Sequence, residues 1–292
     1  MSTPYASAAP YYARYRPAYP AEFYELLADR FALDGSQTVL DLGAGPGPIT
    51  LALAPMADQV YAVDPEPAML DEGSRLAEER GLTNTSWLAG HADGIGRLCL
   101  PRIDLCVIGR AFHLMDRTRV AAELDGVLAP RGGIVLVDSV ARPGVPHPPW
   151  AAVAEEVCAR FLGPGRGRGA DWDDVDRSGE AEGPAEGSAD SQGAEGPEGS
   201  EGSEGSEGSE DHLAKSPFSR IETITWDQRL RHTADQVAGL LFSCPSSAPA
   251  RFGDRRAAFE AELRQALLDH DPGGTYARTV RVRAVIATRP RP

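Results

Sequence analysis

Apolar and polar positions along the first half of the chain alternate between two periods. Short, almost continuously apolar runs recur at Thr38–Leu42, Gln59–Val63, Thr85–Leu88, Ile103–Ile108 and Ile134–Val137. Runs of this length predict strands buried on both faces. Between them the period changes to that of a helix. Ile49–Met56 is one such segment. Pro67–Arg80 carries Met69, Leu70 and Leu76, and Arg117–Leu128 places Val120, Leu124, Val127 and Leu128 on one stripe. Pro130 and Gly132-Gly133 stop that last helix. Strands and helices alternating at this spacing predict βαβ units around a mostly parallel sheet, an α/β fold.

The flanks extend the same domain. Tyr11–Phe31 predicts a helix covering the sheet, and Trp150–Leu162 predicts another. Ser219–Thr225 has strand character. Thr233 with Gln236 three residues on forms a capping box before Val237, Leu240 and Leu241. Asp254 starts a helix with Phe259, Leu263 and Leu267 on one stripe, and Thr275–Ile286 is a long final strand. The expected organisation is a single domain over 1–292, with a helical lid at 1–31, a cofactor-binding core at 32–140 and a sheet-completing part at 217–292.

The segment 163–216 interrupts that domain. It is first Gly- and Arg-rich, then composed of Glu, Gly and Ser, ending in Glu-Gly-Ser triplets. With almost nothing apolar to bury, it is predicted to be a disordered insertion; an acidic docking segment is the functional alternative. Fifteen Asp or Glu and one Arg lie between Asp171 and Asp211, so this stretch carries the whole net charge of −14 and the rest of the chain is neutral. No basic cluster marks a nucleic-acid footprint. The only Lys is Lys215, which rules out a P-loop lysine at the glycines. Cys99, Cys106, Cys158 and Cys244 lack metal or redox spacing, and no apolar run reaches the roughly 18 residues of a membrane helix. A reducing, cytoplasmic setting with no membrane and no metal is expected.

The chemistry concentrates at Val39-Leu40-Asp41-Leu42-Gly43-Ala44-Gly45-Pro46-Gly47. A strand ending near an Asp and turning through Gly-x-Gly-x-Gly into a helix lets backbone approach a ligand closely. A pyrophosphate favours helix N–H groups with no carboxylate beside them. Asp41 stands two residues before the first glycine, and Pro48 occupies the place of the third glycine in the dinucleotide fingerprint. Both favour a cationic ligand. The second strand ends in Asp64, about twenty residues past the loop, where an acid accepts ribose hydroxyls; the alternative is a helix cap before Pro65.

These residues resemble the class I S-adenosylmethionine-dependent methyltransferases over Val39–Asp138 and more loosely beyond. Tyr12-Ala13-Arg14-Tyr15-Arg16-Pro17-Ala18-Tyr19-Pro20 and Gly109-Arg110-Ala111-Phe112-His113 are similar to segments of the family's small-molecule branch. The resemblance implies a Rossmann-like three-layer sandwich with a seven-stranded, mostly parallel sheet. Its last strand is antiparallel and lies between the fifth and sixth. S-adenosyl-L-methionine is the implied cofactor. Asp41, Gly43, Ala44, Gly45 and Gly47 are implied to surround its methionine part, Asp64 and Pro65 its ribose, and Ala92 and Asp93 its adenine. Met69 is either an adenine contact or a core side chain, and Asp93 either an adenine contact or an ordinary loop Asp. Gly109, Arg110 and His113 follow the fourth strand and line the site. His113 is either the catalytic base or a pocket-shaping group. Many relatives carry Trp after this His; Leu114 stands there instead. Tyr11, Tyr15 and Arg16 are either a lid or plain helix packing. No Asn/Asp-Pro-Pro-aromatic tetrad follows the fourth strand, and Pro148-Pro149-Trp150 follows the fifth without a preceding acid or amide. A small-molecule acceptor, such as a natural-product intermediate, is therefore expected. The alternatives are a Rossmann-type NAD(P) oxidoreductase and a cofactor-binding protein without transferase activity.

Overall fold

The computed structural model describes residues 5–140, 144–163 and 204–290, with side chains from 208 in the last stretch. Its strands are β1 (Thr38–Leu42), β2 (Gln59–Asp64), β3 (Thr85–Ala89), β4 (Ile103–Gly109), β5 (Leu128–Val140), β6 (Arg220–His232) and β7 (Tyr276–Thr288). They form one sheet in the order β3-β2-β1-β4-β5-β7-β6. β1 to β5 pair in parallel, and β7 is antiparallel to both β5 and β6. This is the α/β sheet predicted from the sequence, including the position of the last strand.

Alternate residues of the central strands serve opposite faces, as the strand period requires. On one face α2 (Ala21–Phe31) and α3 (Pro48–Leu53) pack Phe23, Leu27, Ile49 and Leu53 on Val39, Val60, Leu105, Val107 and Val135. On the other, Val120 and Leu124 of α5 (Arg117–Val127) pack on Leu40, Cys106, Ile108, Ile134 and Leu136. α4 (Pro67–Glu79) lies against β2 and β3. The three layers leave the carboxyl ends of β1 to β5 together at one edge.

A second cluster stands beyond that edge. β5 stops at Val140, opposite Arg281, while the β6–β7 pair runs on to His232 opposite Tyr276. On this extension sit α6 (Pro149–Leu162), α8 (Ala234–Phe242) and α9 (Arg256–His270), packed through Trp150, Leu241, Phe242, Phe259 and Tyr276. The predicted capping box of Thr233 and Gln236 starts α8. α1 (Ala9–Tyr15) packs against both α8 and α4, so it bridges this helical cap to the helix that follows β2.

Four expectations are corrected. The helix predicted over Tyr11–Phe31 is two, α1 and α2, because Pro17 and Pro20 hold the intervening backbone extended. β5 begins at Leu128, not Ile134; a register shift opposite Ile103–Leu105 absorbs Pro130 and the following glycines. Asp254 does not cap α9, which starts at Arg256 after a short turn. Within the segment predicted to be disordered, 204–214 forms α7 (Glu204–Ala214). Its composition is poor for a helix, but Leu213 and nearby Phe218 are fully buried against the α5 side of the sheet. That tertiary burial outweighs local propensity. The remainder of the predicted insertion, 164–203, lies outside the described residues.

Candidate cofactor and acceptor site

In a parallel sheet, ligands bind beyond the carboxyl ends of the strands where strand order reverses. Here the reversal falls between β1 and β4. The loop leaving β1 is held to β2 by the N–H groups of Gly43 and Ala44, which donate to the Val63 carbonyl at 2.8 and 3.1 Å. Gly45 takes φ +54°, and a Cβ built on it meets nothing within 4 Å. The loop crest therefore offers open space beside bare backbone. Gly47, at φ +71°, is needed for a different reason: its Cβ would lie 2.2 Å from Cη2 of Trp87. A Cβ on Gly43 would come 2.6 Å from that of Ala111, which closes the β1 and β4 loops on each other.

Two carboxylates flank the loop. Asp64 accepts the Gly45 N–H at Oδ2 (2.8 Å) and the Glu66 N–H at Oδ1 (2.9 Å). It does not cap α4; Glu66 does, accepting from the Ala68 N–H. Each Asp64 oxygen keeps acceptor capacity for a ligand hydroxyl. Burial pushes its pKa upward, against the pull of the Glu66 and Gly45 N–H groups. Asp41 is almost fully buried. Its Oδ2 accepts from the Thr50 N–H (2.9 Å) and hydroxyl (2.6 Å), which pins the start of α3 beneath the loop. Burial raises its pKa to about 7; the Thr50 bonds oppose this and the nearby Asp64 carboxylate adds to it.

The other predicted positions surround these. Pro65 follows Asp64 in the turn into α4, where Met69 is buried beside Leu70. The Gly90 N–H donates to the Asp64 carbonyl at 3.1 Å, which brings the turn holding Ala92 and Asp93 to the end of β2. Asp93 lies 3.3 Å from Arg119 of α5 in a half-exposed ion pair. Gly109 leaves no room for a Cβ, because Ile49 and the Tyr19 hydroxyl would meet it at 2.6 and 2.7 Å. His113 sits in a short turn, with Leu114 60% exposed beside it.

Arg110, at the start of the β4 loop, packs beside Tyr19. With φ +53°, it lays its guanidinium 4.7 Å from the Tyr19 ring centroid and donates to Ser139 Oγ at 2.9 Å. Burial works against its charge, but the Tyr19 and Tyr12 oxygens outweigh it and raise its pKa. Tyr11 and Tyr15 pack onto the cap: Tyr11 meets Phe242 edge-on at 5.2 Å, and Tyr15 fills the space above Gly239. Arg16 donates to Cys244 Sγ at 3.1 Å. Those contacts are helix packing. Trp150, in the Pro-Pro-aromatic look-alike, is buried with its Nε1 donating to the Ala277 carbonyl.

Asp138, at the end of β5, went unnoticed in the sequence. Burial raises its pKa to about 6, with Arg110, Arg283 and Arg117 opposing. The only signal was an Asp closing an apolar strand. Among the described residues no group of three or more His, Cys, Asp or Glu is placed to hold a metal, and no helix is long and apolar enough to cross a membrane.

The residues present fit S-adenosylmethionine. An open loop crest meets an acid with spare acceptor capacity, and a second, buried acid adds negative potential. A sulfonium, an ammonium and ribose hydroxyls suit that set; a pyrophosphate does not. The architecture and this site define a class I S-adenosylmethionine-dependent methyltransferase fold. Residues 39–132 match the methyltransferase domain family. An uncharacterized methyltransferase of Mycobacterium tuberculosis is 37% identical over 137 residues, 47% of this chain and 52% of that protein. An uncharacterized methyltransferase of Schizosaccharomyces pombe is 31% identical over 157 residues, 53% of this chain and 57% of its own. The chain thus spans about half the length of the curated relatives it matches. The solved structure of the YcgJ protein from Bacillus subtilis superposes over 93% of this chain and 100% of its own, with a TM-score of 0.51 at 17% identity. That likeness is one of fold.

Proposed function

We propose that the protein transfers the methyl group of S-adenosyl-L-methionine to a small-molecule acceptor, such as a natural-product intermediate. The observation that carries this reading is the Gly45–Asp64 hydrogen bond, which puts an open glycine crest and a ribose-accepting carboxylate side by side. When bound, the cofactor's sulfonium supplies an activated methyl for direct displacement, and the protein's part is alignment. Asp64 holds the ribose, the loop from Gly43 to Gly47 lies along the methionine part, and Ala92 and Asp93 border the adenine. Asp41 acts from beneath, fixing α3 through Thr50 and favouring positive charge above it. His113 is the candidate catalytic side chain on the acceptor side.

Incubating the protein with methyl-labelled cofactor and a metabolite extract tests this. Label entering a small organic product supports it. Label entering only RNA or protein, or no product, argues against a small-molecule acceptor.

A further inference from the structure

Two strands over from the glycine loop, β5 carries near its end a carboxylate with no assigned task. Asp41 pairs with Val107, and Val107 with Val135, so Gly43, Gly109 and Val137 lie level across the sheet. Asp138 is one residue further out, on the carboxyl edge. At ~4.8 Å per strand it stands about 10 Å from the end of β1. That places it on the acceptor side of the crevice, past the β4 loop that carries His113.

Oδ1 of Asp138 is buried and accepts no hydrogen bond among the described residues. Such an oxygen is costly to keep, and native structures seldom keep one without a use. The cations around it are engaged elsewhere. Arg110, at the end of β4, donates to Ser139 and lies over Tyr19; Arg283 of β7 is 3.4 Å from Glu210. Arg117, at the start of α5, also faces the group, and the Tyr19 hydroxyl is a titratable neighbour. These guanidiniums and a hydrogen bond from the Arg110 backbone N–H favour the charged carboxylate, and Oδ1 stays unfilled.

We propose that Asp138 Oδ1 anchors the methyl acceptor, receiving a hydrogen bond from a hydroxyl or amino group that the acceptor carries. This rests on the methyltransferase reading above. It defines the acceptor as a hydrogen-bond donor at that point, and it assigns Asp138 a recognition task separate from that of His113.

The test uses the full chain saturated with S-adenosylhomocysteine. A panel of single-ring phenols and benzylamines, with their fully methylated counterparts, is titrated while following the 13Cγ resonance of Asp138 and probe binding by NMR. Donor-bearing probes should move that resonance in the wild-type protein and bind at least tenfold more weakly to Asp138→Asn. The methylated phenols, with neither donor nor charge, should bind both proteins alike. Benzylamines should lose affinity as pH falls through about 6, where Asp138 takes up its proton; phenols binding instead identify a hydroxyl acceptor. Equal binding of donor-bearing and methylated probes to the wild-type protein overturns the proposal, and so does an undisturbed Asp138 resonance. The wild-type resonance decides the matter even if Asp138→Asn fails to fold. Failure to bind S-adenosylhomocysteine at all overturns the methyltransferase reading itself and is distinguishable from either result.

Discussion

The Gly45 N–H donates to Oδ2 of Asp64 across 2.8 Å, joining the loop after β1 to the acid that ends β2. One carboxylate thus fixes the loop crest and, in the proposed function, holds the ribose. Asp64→Ala should weaken S-adenosylhomocysteine binding by about 1.5–3 kcal/mol, the scale of charge-assisted hydrogen bonds. That is roughly 10- to 100-fold in Kd. Calorimetry checks it, and unchanged affinity would leave Asp64 with only its loop-tethering role.

Trp87 occupies the space that two glycines leave. Built Cβ atoms on Gly47 and Gly73 come within 2.2 Å of its ring. Gly73→Ala should therefore overpack the site and destabilise the fold by about 1–3 kcal/mol. In a Trp87→Ala background the same change should cost less, because the clash has gone. A double-mutant cycle from denaturant unfolding measures the coupling; strict additivity would place the indole elsewhere.

The raised pKa of Asp41, about 7 against 3.8 in the free side chain, sets a pH dependence. Between roughly pH 4 and 7 the folded state holds a proton that the unfolded chain has released, so this group's contribution to stability falls as pH rises through that window. A cationic ligand favours the carboxylate and displaces the proton. Affinity for S-adenosylmethionine should therefore climb from pH 4 to 7, by up to about tenfold per unit, and then level. S-adenosylhomocysteine, without the sulfonium charge, should climb less steeply. Parallel profiles for the two ligands would show that Asp41 does not sense the sulfonium.

Leu213, fully buried, ties α7 to the core. Leu213→Ala should cost about 2–5 kcal/mol, the usual range for a buried leucine, and should lower the midpoint of denaturant unfolding. A change below about 0.5 kcal/mol, typical of surface positions, would mean that α7 does not pack there.

Much of this fold was legible because β1 to β5 announce themselves as apolar runs and the sheet leaves few topologies open. The corrections come from positions where long-range packing overrode local pattern. Pro130 and Gly132 look like stop signals, yet a bulge carries β5 through them. Glu-Gly-Ser repeats hide α7 because its anchors, Leu213 and Phe218, lie at the edge of the low-complexity segment. That Asp41 and Asp64 flank the glycine loop was legible from their places near strand ends. What was not readable is direction. Arg110 lies over Tyr19, and Tyr11 and Tyr15 face the cap. Asp138 was not legible because the burial of its unfilled Oδ1 exists only in three dimensions.

Titration calorimetry with S-adenosylhomocysteine and with NADH identifies the ligand of the glycine loop. S-adenosylhomocysteine should bind saturably at one site, more weakly in Asp64→Ala, and NADH should not bind. Tight NADH binding with no response to S-adenosylhomocysteine would rule out S-adenosylmethionine as the cofactor.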